Sequence, residues 1–174
     1  AGTVFRPEEV RAISEAARAH GLRLHMDGSR FSGAVAATGC SPAELTWRNG
    51  VDILSFGATK GGAFAAEAVV VFDLGLAENL GYRRKRGGHL FSKMRFLSAQ
   101  LDAYLRDDVW LRNARHANAM ASRLASGLGT IPGVSLCHPV EANEIFARMP
   151  EAVIAGLLAK GFAFYRWGAP AACE

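Results

Sequence analysis

A chain of 174 residues, half of them hydrophobic and 21% charged, is long enough for one domain with a real core or for part of a larger one. A net charge of +4 does not by itself require a nucleic-acid partner, and no run approaches the roughly 20 apolar residues that span a bilayer. Cys40, Cys137 and Cys173 are odd in number, far apart and without a CxxC pair, which argues against a disulfide framework or a zinc site and suits a reducing cytoplasm.

Pro7-Glu8-Glu9 opens a helix: proline suits the first turn, and the two acids complement the dipole there. Val10, Ile13, Ala16 and Ala17 follow at helical spacing, and Gly21 supplies the stop. Leu22–Met26 reads as a short strand ending at Asp27-Gly28. Phe31–Thr38 reads as a short helix closed by Gly39. Val51–Phe56 and Glu67–Phe72 read as two further strands, with the turn SFGATKGG between them. From Ser92 to about Gly127 the pattern is helical, in two stripes that break near Asp107-Asp108. Gly127, Gly129, Pro132 and Gly133 then mark a boundary. Beyond it the pattern predicts strands at Val134–Cys137 and near Glu144–Arg148, a helix from Pro150 to Lys160 and a strand at Phe162–Tyr165. No leader marks secretion. The chain opens on AGTVF without methionine and closes on AACE, so it reads as an interior portion of a longer polypeptide.

Strands alternating with helices predict an α/β fold, whose ligands bind beyond the carboxyl ends of the strands. Asp27 and Lys60 both fall just past such ends. Taken alone, Asp27-Gly28 is a turn and Lys60 a surface lysine. Together they suggest more. A carboxylate buried at a strand end needs a partner, and a lysine desolvated among small residues becomes a nucleophile toward carbonyls. Pyridoxal phosphate (PLP) asks for these parts: an amine for its aldehyde, and an acid opposite the pyridine nitrogen. Gly57, Gly61 and Gly62 would then let the ring lie against the backbone.

HMDGSR, SFGATKGG and RRKRGGHLFSKMRFLSAQ, in that order, resemble the low-specificity L-threonine aldolase group of the fold-type-I, aspartate aminotransferase-like PLP enzymes. The resemblance runs from AGTVFRPEE to FYRWG. It implies a large PLP-binding domain with a mostly parallel sheet, its later part at residues 1–129, and the start of a small αβ C-terminal domain at 130–174. It implies that Lys60 forms the Schiff base, that Asp27 pairs with the pyridine nitrogen, and that Arg30 contacts the phenolic oxygen and the substrate carboxylate. Lys85 is the best match for a phosphate-binding cation; Arg95 is a weaker one, because the spacing after Gly87-Gly88 departs from the shorter pattern. The implied reaction is retro-aldol cleavage of threonine or allo-threonine to glycine and an aldehyde, in a cytoplasmic homo-oligomer with shared active sites and no membrane or nucleic-acid partner. The resemblance also assigns the catalytic histidine and main phosphate loop to residues upstream of Ala1, and a further carboxylate-binding arginine to residues after Glu174.

His25 lies two residues before Asp27, so strand alternation points it to the same face; a packed histidine bonded to backbone is the plainer reading. Thr59 reads equally as a phosphate neighbour and as a turn threonine. Arg83, Arg84 and Arg86 read as solvent-facing. Rival readings are another fold-type-I enzyme, either a β-eliminating lyase or an aminotransferase, an inactive fragment, and a nucleic-acid module built on RRKR. The last lacks aromatic interleaving beyond Tyr82 and Phe91.

Overall fold

The computed structural model describes residues 2–167; Cys173, Ala1 and the last glycine of FYRWG lie outside them. The chain divides into two compact units, one comprising Val4–His116 and the other the rest of the described residues.

In the first unit, helix α1 (Pro7–Ala19) starts on the predicted proline and is closed at its head by the Arg6 N–H donating to Glu9 Oε2 at 2.6 Å. Strand β1 (His25–Gly28) leads into α2 (Phe31–Thr38), which Gly39 ends in the left-handed conformation. Strands β2 (Ile53–Gly57) and β3 (Glu67–Val71) follow. The sheet order is β1-β2-β3: β1 and β2 run parallel and β3 runs antiparallel to β2. The α/β expectation holds, and the three described strands form a mixed sheet with one parallel and one antiparallel pair. The short turn between β2 and β3 dictates this, since a parallel return needs a crossover of a dozen residues or more.

One face of this sheet is the core face. Met26, Leu54, Phe56 and Ala68 project from it toward α2 and the later helices, where Phe31, Val35, Leu45, Tyr104 and Trp110 complete a buried cluster. Phe56 meets Phe31 and Trp110 edge-on, with ring centroids 6.2 and 6.0 Å apart, the arrangement that ring quadrupoles favour. Burying each such side chain stabilises the fold by about 1.5–3 kcal/mol.

After β3 the basic run RRKR lies on a short exposed helix, α3 (Leu80–Arg86), where the sequence reading had only a charge run. Helix α4 (Arg95–Leu105) is followed by a tight turn in which Asp107 and Asp108 both have positive φ. This is the predicted break, and α5 (Val109–Leu128) starts after it. Aspartate tolerates this conformation because its short polar side chain bonds locally.

In the second unit, β4 (Ser135–Leu136) pairs antiparallel with β5 (Ala147–Arg148), and α6 (Glu151–Ala159) follows. The strand expected at Phe162–Tyr165 does not form: residues 162–167 carry no regular secondary structure, and no described strand pairs with them. Cys137 is disulfide-bonded, although the number and spacing of the cysteines argued against a disulfide framework, whereas Cys40 is free. Among the described residues no helix is long and apolar enough to cross a membrane.

Candidate active site

Parallel strands end on the same side of a sheet, so the β1–β2 pairing fixes where Asp27 and Lys60 lie. Asp27 is opposite Ser55 in register, and Lys60 follows β2 in a single helical turn, Thr59–Gly61. Both side chains therefore stand at the carboxyl end of the sheet, and both are exposed. The Ser29 N–H donates to Asp27 Oδ1 at 2.9 Å. That bond is the main reason the carboxyl is held below its ordinary range. Partial desolvation opposes it, while the Ser29 hydroxyl and the charges of Lys60 and His25 add to it. The Lys60 charge thus reaches the Asp27 carboxyl, as a smaller influence than the Ser29 bonds.

Alternation along the strands sends His25, Asp27, Ser55, Glu67 and Val69 to the face opposite the core. On this face, which Ile53 and Val71 share, the His25 Nε2 and Ser55 Oγ form a hydrogen bond of 2.8 Å. His25 is thus exposed and bound to a side-chain hydroxyl, rather than packed against backbone.

The lysine turn is tied down on both flanks. Its stem is closed by the Ala58 N–H donating to the Ala66 carbonyl at 3.0 Å and the Ala66 N–H donating to Thr59 Oγ1 at 3.2 Å. The Thr59 hydroxyl is thereby committed to its own turn. Gln100 Oε1, on α4, accepts from the Phe64 and Ala65 N–H groups at 3.0 and 3.1 Å, and Asn113 Nδ2, on α5, donates to the Gly61 carbonyl at 3.0 Å.

The glycines around Lys60 have a reason that differs from the expected one. A Cβ on Gly57 would fall 2.7 Å from the Ser29 Cα, and one on Gly61 would fall 1.8 Å from Tyr104 Oη. At Gly62, which has φ +125°, it would fall 2.7 Å from Asn113 Nδ2. Protein atoms already occupy the space that the glycines leave. Tyr104 is itself buried, with its hydroxyl 3.2 Å from Ser32 Oγ. Ser55, Tyr104, Gln100 and Asn113 went unremarked as site residues in the sequence. Only strand register and helix packing disclose them.

Arg30 is the exposed residue immediately before α2, at the same turn as Asp27. Lys85 lies on α3, and Arg95 opens α4 with its guanidinium 4.9 Å from the centroid of the Phe96 ring. Neither makes a hydrogen bond or ion pair with Asp27 or Lys60 among the described residues. Arg166 forms a bidentate pair with Glu151 at 2.8 and 2.5 Å.

Comparison with known proteins identifies relatives of this chain. The family model described as "Beta-eliminating lyase" matches residues 1–152. A low-specificity L-threonine aldolase of Pseudomonas aeruginosa is 53% identical over 164 residues, covering 94% of this chain and 47% of that protein. An Arabidopsis thaliana low-specificity L-threonine aldolase is 27% identical over 151 residues, covering 86% of this chain and 41% of that one. Among solved structures, a Leishmania major threonine aldolase matches with a TM-score of 0.85 at 26% identity, over 98% of this chain and 48% of its own. The chain spans about half the length of the curated relatives it matches.

Proposed function

This chain belongs to the beta-eliminating lyase family, and from that premise we propose that the polypeptide carrying it cleaves threonine-type β-hydroxy-α-amino acids to glycine and an aldehyde with pyridoxal phosphate. The observation that carries the reading is the placement of Asp27 and Lys60 at one end of adjacent parallel strands, close enough for the Lys60 charge to act on the carboxyl. The aldolases named above support the substrate class.

The donor set fits the cofactor. Lys60 offers an exposed primary amine on a braced turn, and Asp27 offers an ionised carboxylate at the same sheet end. When bound, pyridoxal phosphate supplies an electron sink for the pair left on Cα as the Cα–Cβ bond breaks. Lys60 anchors the aldehyde carbon. Asp27 holds a proton on the pyridine nitrogen, the role an ionised carboxylate performs best. Arg30 binds the substrate carboxylate, and a fork of N–H donors suits that task. Lys85 and Arg95 are assigned to the phosphate. We assign the base that takes the β-hydroxyl proton to no histidine of this chain. Residues 1–129 form the later part of the cofactor-binding domain in this reading, and 130–174 open a smaller one. A cytoplasmic location and a homo-oligomer with shared sites belong to the same proposal, testable by fractionation and light scattering.

The deciding experiment supplies the purified polypeptide with pyridoxal phosphate and threonine. Glycine and acetaldehyde, produced by the parent and lost with the yellow colour in K60A, support the reading. Ammonia and 2-oxobutanoate would move it to a β-eliminating lyase. Colour unchanged in K60A would end it.

A further inference from the structure

His25 and Ser55 have no task in the chemistry above, yet their side chains bond to each other on the face of the sheet opposite the core. Their placement relative to Asp27 is set by the strands. His25 precedes Asp27 by two residues on β1, and Ser55 is its register partner on β2. One strand spacing, about 4.8 Å, separates Ser55 from Asp27, and both side chains rise on the same face.

A hydroxyl can accept one hydrogen bond and still donate its own proton. If the imidazole N–H donates to Ser55 Oγ, the serine proton is left for another acceptor, and the carboxylate directly opposite in register is Asp27. Glu67, the other carboxylate on this face, is in register with Gly57 instead. One side of Asp27 is already held, because Oδ1 accepts from the Ser29 N–H. The Ser29 hydroxyl acts on the same carboxyl from its own turn, and a Ser55 donor would hold the group from the neighbouring strand.

We propose that His25, acting through Ser55, is a positioning residue for Asp27: the imidazole turns the serine hydroxyl toward the carboxylate and keeps that carboxylate ionised and fixed. The role rests on the functional reading above, because an ionised Asp27 is the form that holds a proton on the cofactor's ring nitrogen. The charge of His25 acts on Asp27 in the same sense.

Two measurements test this, one of which needs no cofactor. In the cofactor-free polypeptide, the Asp27 carboxyl is titrated by NMR in the parent and in S55A, S55T, H25A and H25Q. S55A and H25A should each raise its midpoint, and the double variant should raise it no further than either single one. S55T keeps the hydroxyl and H25Q keeps a donor near the Nε2 position, so both should return toward the parent value. With pyridoxal phosphate, equilibrium dialysis should show roughly tenfold weaker binding in S55A and H25A, the scale of one hydrogen bond to a charged group. Their bound-state absorption spectrum should shift in the direction seen for D27N.

An unmoved Asp27 midpoint in S55A, or additive effects of the two alanines, overturns the inference. Should H25A fail to fold, the S55A and S55T pair decides alone. If the parent takes up no cofactor but the midpoints move as stated, the functional reading fails and the His25–Ser55–Asp27 relay stands. If cofactor binds through Lys60 and the midpoints stay still, the reverse holds.

Discussion

Replacing Gly61 by alanine tests how Lys60 is held in place. The backbone at Gly61 has no positive φ, so the substitution brings no conformational strain, and its effect is steric. The new Cβ would lie 1.8 Å from Tyr104 Oη and 2.7 Å from its Cζ, separations no real pair of atoms tolerates. Tyr104 is only 4% exposed and packs in the main core, so the ring has little room to retreat. Overpacking of this kind costs about 1–3 kcal/mol, and loss of the Tyr104–Ser32 hydrogen bond adds roughly 0.5–1.5. We therefore expect G61A to lower stability by about 2–4 kcal/mol, read as a fall in the urea midpoint of roughly 1 M or more. The cycle with Tyr104 isolates the cause. In a Y104A background the same glycine change should cost less than about 0.5 kcal/mol, because the obstructing ring is gone. Y104F should give only partial relief, since the ring carbon remains in the way after the hydroxyl is removed. Equal costs of G61A with and without the Tyr104 ring would refute the steric account, and Gly61 would need another explanation.

Three further outcomes follow from the same structure. The Asp27 carboxyl is held below about 3.9, the ordinary aspartate value, chiefly by the Ser29 N–H. Its ionised form therefore adds stability above that value, and the addition is lost as pH falls through the lower folded midpoint. Denaturation of parent and D27N should differ at neutral pH and converge in acid, by a small and salt-sensitive amount because the group is exposed. Q100A removes the acceptor for the Phe64 and Ala65 N–H groups and should cost about 1 kcal/mol, with faster proteolytic cleavage at that loop. Gly156 lies inside α6 with nothing within 4 Å of an added Cβ, so G156A should stabilise by roughly 0.5–1 kcal/mol in thermal melts.

What the sequence disclosed depended on how far apart the interacting residues lie along the chain. Asp27 and Lys60 were legible because each belongs to a local pattern, a short apolar run ending in a turn, and a sheet with parallel neighbours places such ends together. The break at Asp107-Asp108 was legible for the same reason. The α3 helix was not, because an all-basic run with no apolar stripe reads the same on a helix as on a loop. The strand expected at Phe162–Tyr165 had the right composition but has no described partner, and composition cannot supply one. The His25–Ser55 bond depends on the register between two strands, which no single segment encodes.

The glycines around Lys60 show how a sequence argument can assign the wrong cause to a real pattern. Their number suggested room for a flat ligand, but the atoms that need the room are Ser29, Tyr104 and Asn113, brought in from β1's turn, α4 and α5. A stretch rich in small residues is evidence that something packs closely against it, and the chain itself meets that need here. The assignment of Lys60 as the reactive amine therefore draws no support from the glycines. It stands on the lysine's place at the strand end beside Asp27 and on the family match. The glycines instead identify the braces, which hold the backbone of the turn that carries the exposed Lys60 side chain. Tyr104 wedges the turn at Gly61, Asn113 bonds the Gly61 carbonyl, and Gln100 holds the loop beyond. For the amine role proposed for Lys60, a braced backbone narrows the directions from which the side chain can approach a carbonyl carbon, and orientation alone can contribute several kcal/mol to a rate.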